Sequence, residues 1–263
     1  MSEWIIDQFG KKPQLNKPIL IEGLPGIGNV GKVVVDFMID ELNAKKLYEI
    51  FSYSFPHSVF VNEDNLVELP KVEIFHKKIK SQDVLLLAGD IQPVDEVSSY
   101  EFSEKILDIA EEYGASEVIT LGGIGLNDIP KKPKVYCTAN SKEIIKKYKH
   151  KILNEKLYGV VGPIVGVSGL LLGLAGRRKI PAITFLAETY GHPMYLGVKG
   201  AREILKILNN KLKMGVNINK LEKEIEEAES EMLKKTKDLD DVSKQIAFKK
   251  LKGKLGGEMS YIG

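Results

Sequence analysis

Ile19-Leu20-Ile21-Glu22-Gly23-Leu24-Pro25-Gly26-Ile27-Gly28-Asn29-Val30-Gly31-Lys32 reads as a short apolar strand, a glycine loop and the opening of a helix. Pro18 and Gly23 bound the strand. From Lys32 to Leu42 the apolar residues Val34, Val35, Met38 and Leu42 keep helical spacing. A strand, a tight turn and a helix in that order form the opening unit of an α/β fold.

The pattern recurs along the chain. Leu47 to Tyr53 reads as a strand, and Val59-Phe60-Val61 with Leu66-Val67-Glu68-Leu69 reads as a hairpin. Val72 to His76 reads as an edge element. Asp83-Val84-Leu85-Leu86-Leu87-Ala88-Gly89 is a continuous apolar run, as expected of a parallel strand covered on both faces. Ser98 to Tyr113 is an amphipathic helix stopped by Gly114. Glu117 to Gly122 and Val135 to Thr138 are strands, and Ser141 caps a basic helix reaching Lys149. A helix over Ser168 to Arg177, a buried strand over Pro181 to Ala187 and a helix over Lys199 to Leu212 complete the body. The alternation predicts a three-layer α/β/α body with a mostly parallel sheet, of the phosphorylase or hydrolase kind.

With 263 residues, 43% of them apolar, the chain can bury a full core as one α/β domain with an appendage, or as two small domains. The net charge is +2 with acids and bases interleaved, which gives no nucleic-acid surface, although the chain ends are lysine-rich. The single cysteine, Cys137, excludes an internal disulfide and fits a reducing cytoplasm. The acidic start Met1-Ser2-Glu3-Trp4 lacks the apolar run of a signal peptide. The longest apolar stretch, Tyr158 to Ala175, is broken by five glycines and Pro163. It reads as a strand, a loop and a helix, not a membrane span. A cytoplasmic protein with no membrane partner is expected.

Gly26-Ile27-Gly28-Asn29-Val30-Gly31 satisfies G-x-G-x-x-G, which can bring backbone N–H groups to a phosphate at a helix N-terminus. With Lys32 it also matches G-x-x-x-x-G-K, but Val33 stands where a magnesium-binding hydroxyl would be needed. Gly26, Gly28, Asn29, Gly31 and Lys32 thus form a possible ligand loop, or a tight turn packed against a neighbour. Gly122-Gly123-Ile124-Gly125 reads as a second glycine turn at a strand's C-terminal end. Gly159, Gly162, Gly166, Gly169, Gly173 and Gly176 form a third set, suited to close packing in a core or across a subunit interface. Asp90, Asp95, Asp128, Glu188 and His192 are acid–base candidates without a catalytic pattern, and the histidines show no metal-ligand spacing. No cofactor, metal or enzymatic activity is expected.

Beyond the body a heptad ladder runs Ile218, Leu221, Ile225, Ala228, Met232, Lys235, Leu239, Val242, Ile246, with only Lys235 breaking the apolar row. It reads as a coiled-coil-like helix, either lying on its own body or paired within an oligomer; Asp238 to Asp241 could also break it into a hairpin. The expected domains are an α/β body over 1–213, a helical extension over 214–250 and a flexible tail over 251–263. The tail ends Met259-Ser260-Tyr261-Ile262-Gly263.

Four segments together resemble the proteasome assembly chaperone family, the archaeal and bacterial relatives of eukaryotic proteasome assembly chaperone 2. They are Gly23 to Gly31, Leu121-Gly122-Gly123-Ile124-Gly125, Gly166-Val167-Ser168-Gly169-Leu170-Leu171-Leu172 and Leu186-Ala187-Glu188-Thr189-Tyr190. The resemblance implies no established catalytic site and a tendency to form homo-oligomers. It also implies a C-terminal tail that contacts the α-ring of the 20S proteasome through a hydrophobic–tyrosine–any-residue terminus. This chain departs from that pattern, since Tyr261 is third from the end and Ser260 precedes it. Met259, Tyr261, Ile262 and the Gly263 carboxylate still supply the groups. The resemblance therefore points to an assembly chaperone or core-particle binding factor whose partners are proteasome α-subunits and itself. The alternative is a phosphorylase-like protein or enzyme that binds a nucleotide or nucleoside.

Overall fold

The computed structural model describes residues 3–62, 64–160, 162–192, 195–218 and 220–221. In chain order the elements are β1 (Trp4–Gln8), β2 (Ile19–Glu22), α1 (Val30–Leu42), β3 (Lys45–Ser52), β4 (Phe60–Val61), β5 (Val67–Glu68), β6 (Val72–Ile79) and β7 (Gln82–Gly89). They continue with α2 (Glu96–Glu112), β8 (Glu117–Leu126), β9 (Val135–Ala139), α3 (Lys142–Tyr148), β10 (Leu153–Asn154), α4 (Val167–Arg177), β11 (Ala182–Tyr190) and α5 (Val198–Leu212). A nine-stranded sheet in the order β1-β3-β6-β7-β2-β8-β11-β9-β10 carries the fold, and β4 and β5 pair separately.

The four central strands β7, β2, β8 and β11 are parallel to one another. Their uninterrupted apolar runs match burial on both faces. Leu20, Leu85, Leu87 and Val118 share one core with Phe102 and Ile106 of α2 and Leu171 and Leu174 of α4. Side chains alternate along a strand, so Ile21, Leu86 and Ile119 serve the opposite face, where α1 and α5 pack against each other and the sheet. The expected three layers are therefore present.

The sheet is mixed, where a mostly parallel one was expected. Outside the centre, β6 runs antiparallel to β7 and β3, β1 antiparallel to β3, and β9 antiparallel to β11. Tight connections account for one side: β6 and β7 form a hairpin through Lys80 and Ser81, with Ile79 paired to Gln82. Residues 72–76 consequently belong to an interior strand, not an edge. The sheet's edge on that side is β1, where Trp4 pairs with Ser52 and packs on Phe55 and Phe102 at ring distances of 5.7 and 5.2 Å.

Two further expectations are corrected. Gly122 to Gly125 continue β8 as strand, in register with Leu186 to Thr189 of β11. A Cβ on Gly123 would stand 2.2 Å from Ile27 O. Glycine is there because a loop lies against the strand, not because the chain turns. Among the described residues, the stretch beginning at Tyr158 forms no strand before α4; Tyr158, Val160 and Val165 are exposed despite their apolar character.

One compact unit runs Met1–Ile218. After α5, Asn209 holds the chain, accepting from Gly215 N–H at 2.9 Å and donating to Val216 O. The heptad ladder beyond Leu221 and the tail residues Met259, Tyr261, Ile262 and Gly263 lie outside the described residues. Among the described residues, no helix is long and apolar enough to cross a membrane.

Candidate functional site

The strand β2 ends in Glu22, and everything near it is arranged by the glycine loop that follows. Gly23 N–H donates to Leu87 O at 3.0 Å, continuing the ladder to β7 for one more step. The loop then turns on Gly28 and Asn29, both left-handed with φ of +61° and +49°. Gly28 has a second reason to lack a side chain, since a Cβ there would sit 2.6 Å from Thr189 Oγ1. Its carbonyl accepts from Gly197 N–H at 2.6 Å, which ties the loop to the start of α5. Gly31, in the first turn of α1, touches the β8 backbone directly: a Cβ there would be 2.5 Å from Leu121 O.

Above the C-terminal ends of the central strands lies a cavity of about 540 Å³. In open α/β sheets ligands occupy this edge. The glycine loop, the glycines of β8 and the segment leading into α4 line it, and apolar side chains such as Leu24, Ile124 and Ile164 dominate its wall. Among the described residues, Gln92 and Ser168 supply its only polar side chains. Gln92 clamps two loops together. Its amide donates to Pro25 O at 2.7 Å, and its carbonyl oxygen accepts from Val167 N–H at 3.1 Å.

Glu22 sits behind this wall, fully buried. Its Oε1 accepts from Leu24 N–H at 3.0 Å and from the Ser168 hydroxyl at 3.2 Å, while Oε2 has no hydrogen-bond partner. Burial disfavours the charged form and raises its pKa from 4.5 to about 7. The hydrogen bonds from Leu24 and Ser168 oppose that shift.

Of the possible ligand loop, Gly26 and Gly31 line the cavity, whereas Gly28, Asn29 and Lys32 do not. The Lys32 ammonium turns away, donating to Gly89 O and pairing with Asp36, both at 3.0 Å. The acid–base candidates are scattered. Asp95 caps α2 through Ser98 N–H, Glu188 accepts from Lys134 N–H and the Tyr136 hydroxyl, and His192 stacks on Tyr190 at 5.7 Å. Glu22 and Gln92 carry no motif in the sequence, and Ser168, in Gly166-Val167-Ser168-Gly169, comes close to G-x-S-x-G but lacks its spacing. The one local signal was a carboxylate closing an otherwise apolar strand immediately before a glycine loop.

A model of the PAC2 family matches residues 20–235, from β2 through the whole body. The chain belongs to the PAC2 family. An uncharacterized protein of Methanocaldococcus jannaschii is 34% identical over 84% of this chain and 87% of its own length. The crystal structure of Pyrococcus furiosus PbaB, an archaeal proteasome activator, matches with a TM-score of 0.81 and 33% identity. That match covers 90% of this chain and 100% of PbaB. Pyrococcus furiosus PbaA, an archaeal homolog of proteasome-assembly chaperone, shares the fold with a TM-score of 0.72 at 22% identity, covering 93% of this chain and 97% of its own. The four segments thus led to the right family, and all four lie within the matched span.

In this PAC2 chain all four segments meet around the cavity: the loop from Gly23, the β8 glycines, the start of α4 and Leu186 of β11. Gln92 joins the first to the third, and its loss can be predicted. Gln92→Ala strands Pro25 O and Val167 N–H and is expected to cost about 1–2 kcal/mol in urea unfolding. An unchanged midpoint would mean that water replaces the clamp without loss.

Proposed function

We propose that this PAC2 chain is a proteasome assembly chaperone or 20S core-particle binding factor, acting by binding and not by catalysis. The observation that carries the reading is the 33% identity and full-length structural match to PbaB, an archaeal proteasome activator. Docking uses the C-terminal tail, with Met259, Tyr261, Ile262 and the Gly263 carboxylate entering pockets of the α-ring. The body self-associates, so that several tails bind at once and a weak single contact becomes a firm one. Exposed apolar side chains support a body that contacts protein: Phe60, Val61, Leu66 and Val67 on the β4–β5 hairpin, and Val94, Val97 and Tyr100 at the start of α2.

The test is co-purification with an archaeal 20S core particle and with free α-subunits, using the full chain and a chain ending at Met259. Retention of the full chain with loss of the shortened one is the expected result. Preference for free α-subunits marks an assembly role, and preference for the closed particle a role on the mature enzyme. Equal retention of both forms rules out tail docking, and retention of neither rules out the proteasome as partner.

A further inference from the structure

Ser168 places its hydroxyl on the cavity wall while giving its single proton to Glu22 Oε1. A hydroxyl has one donor and two acceptor lone pairs, so what Ser168 offers the cavity is lone pairs. Gln92, the other polar side chain on the wall, is held at both ends, by Pro25 and Val167. Behind Ser168, the fully buried Glu22 keeps Oε2 without a partner. An unpaired buried carboxyl oxygen costs free energy. Leu24 and Ser168, which hold the other oxygen, both line the cavity. Glu22 itself is not on the wall and acts on the cavity through the Ser168 hydroxyl.

The geometry points to a small-molecule site at the C-terminal ends of β2 and β8. It takes a compact, mostly apolar ligand that presents an N–H donor, an amine or an N–H heterocycle, to Ser168 Oγ with Glu22 as the buried acceptor behind it. The size suits such a ligand, since cavities of roughly 300–1,000 Å³ hold small molecules. The sign of the charge suits it too. Among the described residues no cationic side chain lines the wall, Lys32 is engaged on Asp36, and Glu22 carries the nearby charge when ionised. A phosphate or carboxylate would meet repulsion and no cation. This site stands apart from tail docking: it lies in the body and does not depend on the proteasome as partner.

The experiment is calorimetry at pH 8 on the full chain with four probes: benzylamine, benzimidazole, benzoate and inorganic phosphate. Benzylamine or benzimidazole is expected to bind with a dissociation constant of about 1 mM or tighter, the first indicating a cationic ligand and the second a neutral ring. Benzoate and phosphate are expected to give no heat. Glu22→Gln keeps the side-chain shape but turns the unpaired acceptor into a donor. It should weaken the N–H probe by about tenfold or more while its thermal unfolding stays cooperative. Ser168→Ala should weaken it as well. The assignment is overturned if neither N–H probe binds, if phosphate binds as tightly, or if Glu22→Gln binds like the parent chain.

Discussion

A chain carrying Gly31→Ala is expected to lose about 3 kcal/mol of folding stability or more. The added Cβ would lie 2.5 Å from Leu121 O and 3.0 Å from Leu121 C, and both are backbone atoms of a central strand. No rotamer change relieves such a contact; α1 or β8 itself must move. The space below is closed as well, because Gly23 has Gly31 O where its own Cβ would be, at 2.2 Å. Three backbones, from β2, α1 and β8, thus meet without side chains between them. Gly26→Ala provides the comparison. Gly26 lines the same cavity, but a Cβ there meets nothing within 4 Å. That variant should stay within about 0.5 kcal/mol of the parent chain. Urea unfolding of both distinguishes a steric cause from a general intolerance of the loop. Equal losses would show that the backbone contact is not what matters.

Glu22 sets the second expectation, which concerns pH. Its folded-state value of about 7 lies above the ordinary 4.5. Between those values the folded chain holds a proton that the unfolded chain has released. Raising the pH then favours the unfolded state, and this contribution runs opposite to that of a salt-bridged carboxylate. Between pH 5 and pH 8 the loss through this one group is about 2–3 kcal/mol. Glu22→Gln carries no titrating proton there. The variant should therefore gain on the parent by that amount as the pH rises, whatever other groups titrate in both chains. The measurement is urea unfolding of both chains at pH 5, 6, 7 and 8. Parallel stability curves would falsify the assignment of a raised value to Glu22.

Local pattern made much of the body legible. The strand of Ile19 to Glu22, the helix after Gly31, the apolar run of β7 and the amphipathic α2 are all written in residue spacing, and the structure has each of them. The glycine loop was legible as a tight turn between strand and helix. What spacing does not carry is a contact between distant parts of the chain. Gly122 to Gly125 resemble a turn until Ile27 O is known to press on Gly123. Val160 and Val165 resemble core until they are found on the surface. The grouping of Glu22, Gln92 and Ser168 is of the same nature. Three ordinary polar residues become a site only when three loops converge over the sheet, and no short motif joins them.

The position of β2 has a consequence in time. Made early, it lies between β7 and β8, with Ile19 paired to Val84 on one side and to Glu117 on the other. A nascent chain emerges in order, so β2 leaves the ribosome long before either neighbour exists. Its apolar residues cannot be covered until β7 arrives, and its second ladder cannot close until β8 does. Pairings so far apart in sequence form slowly, because the intervening chain must be closed into a loop before any contact rewards it. The first third of this polypeptide therefore waits unfinished while the middle is still being synthesised. Mispairing during synthesis is to be sought there, at the strand on which the cavity is later built.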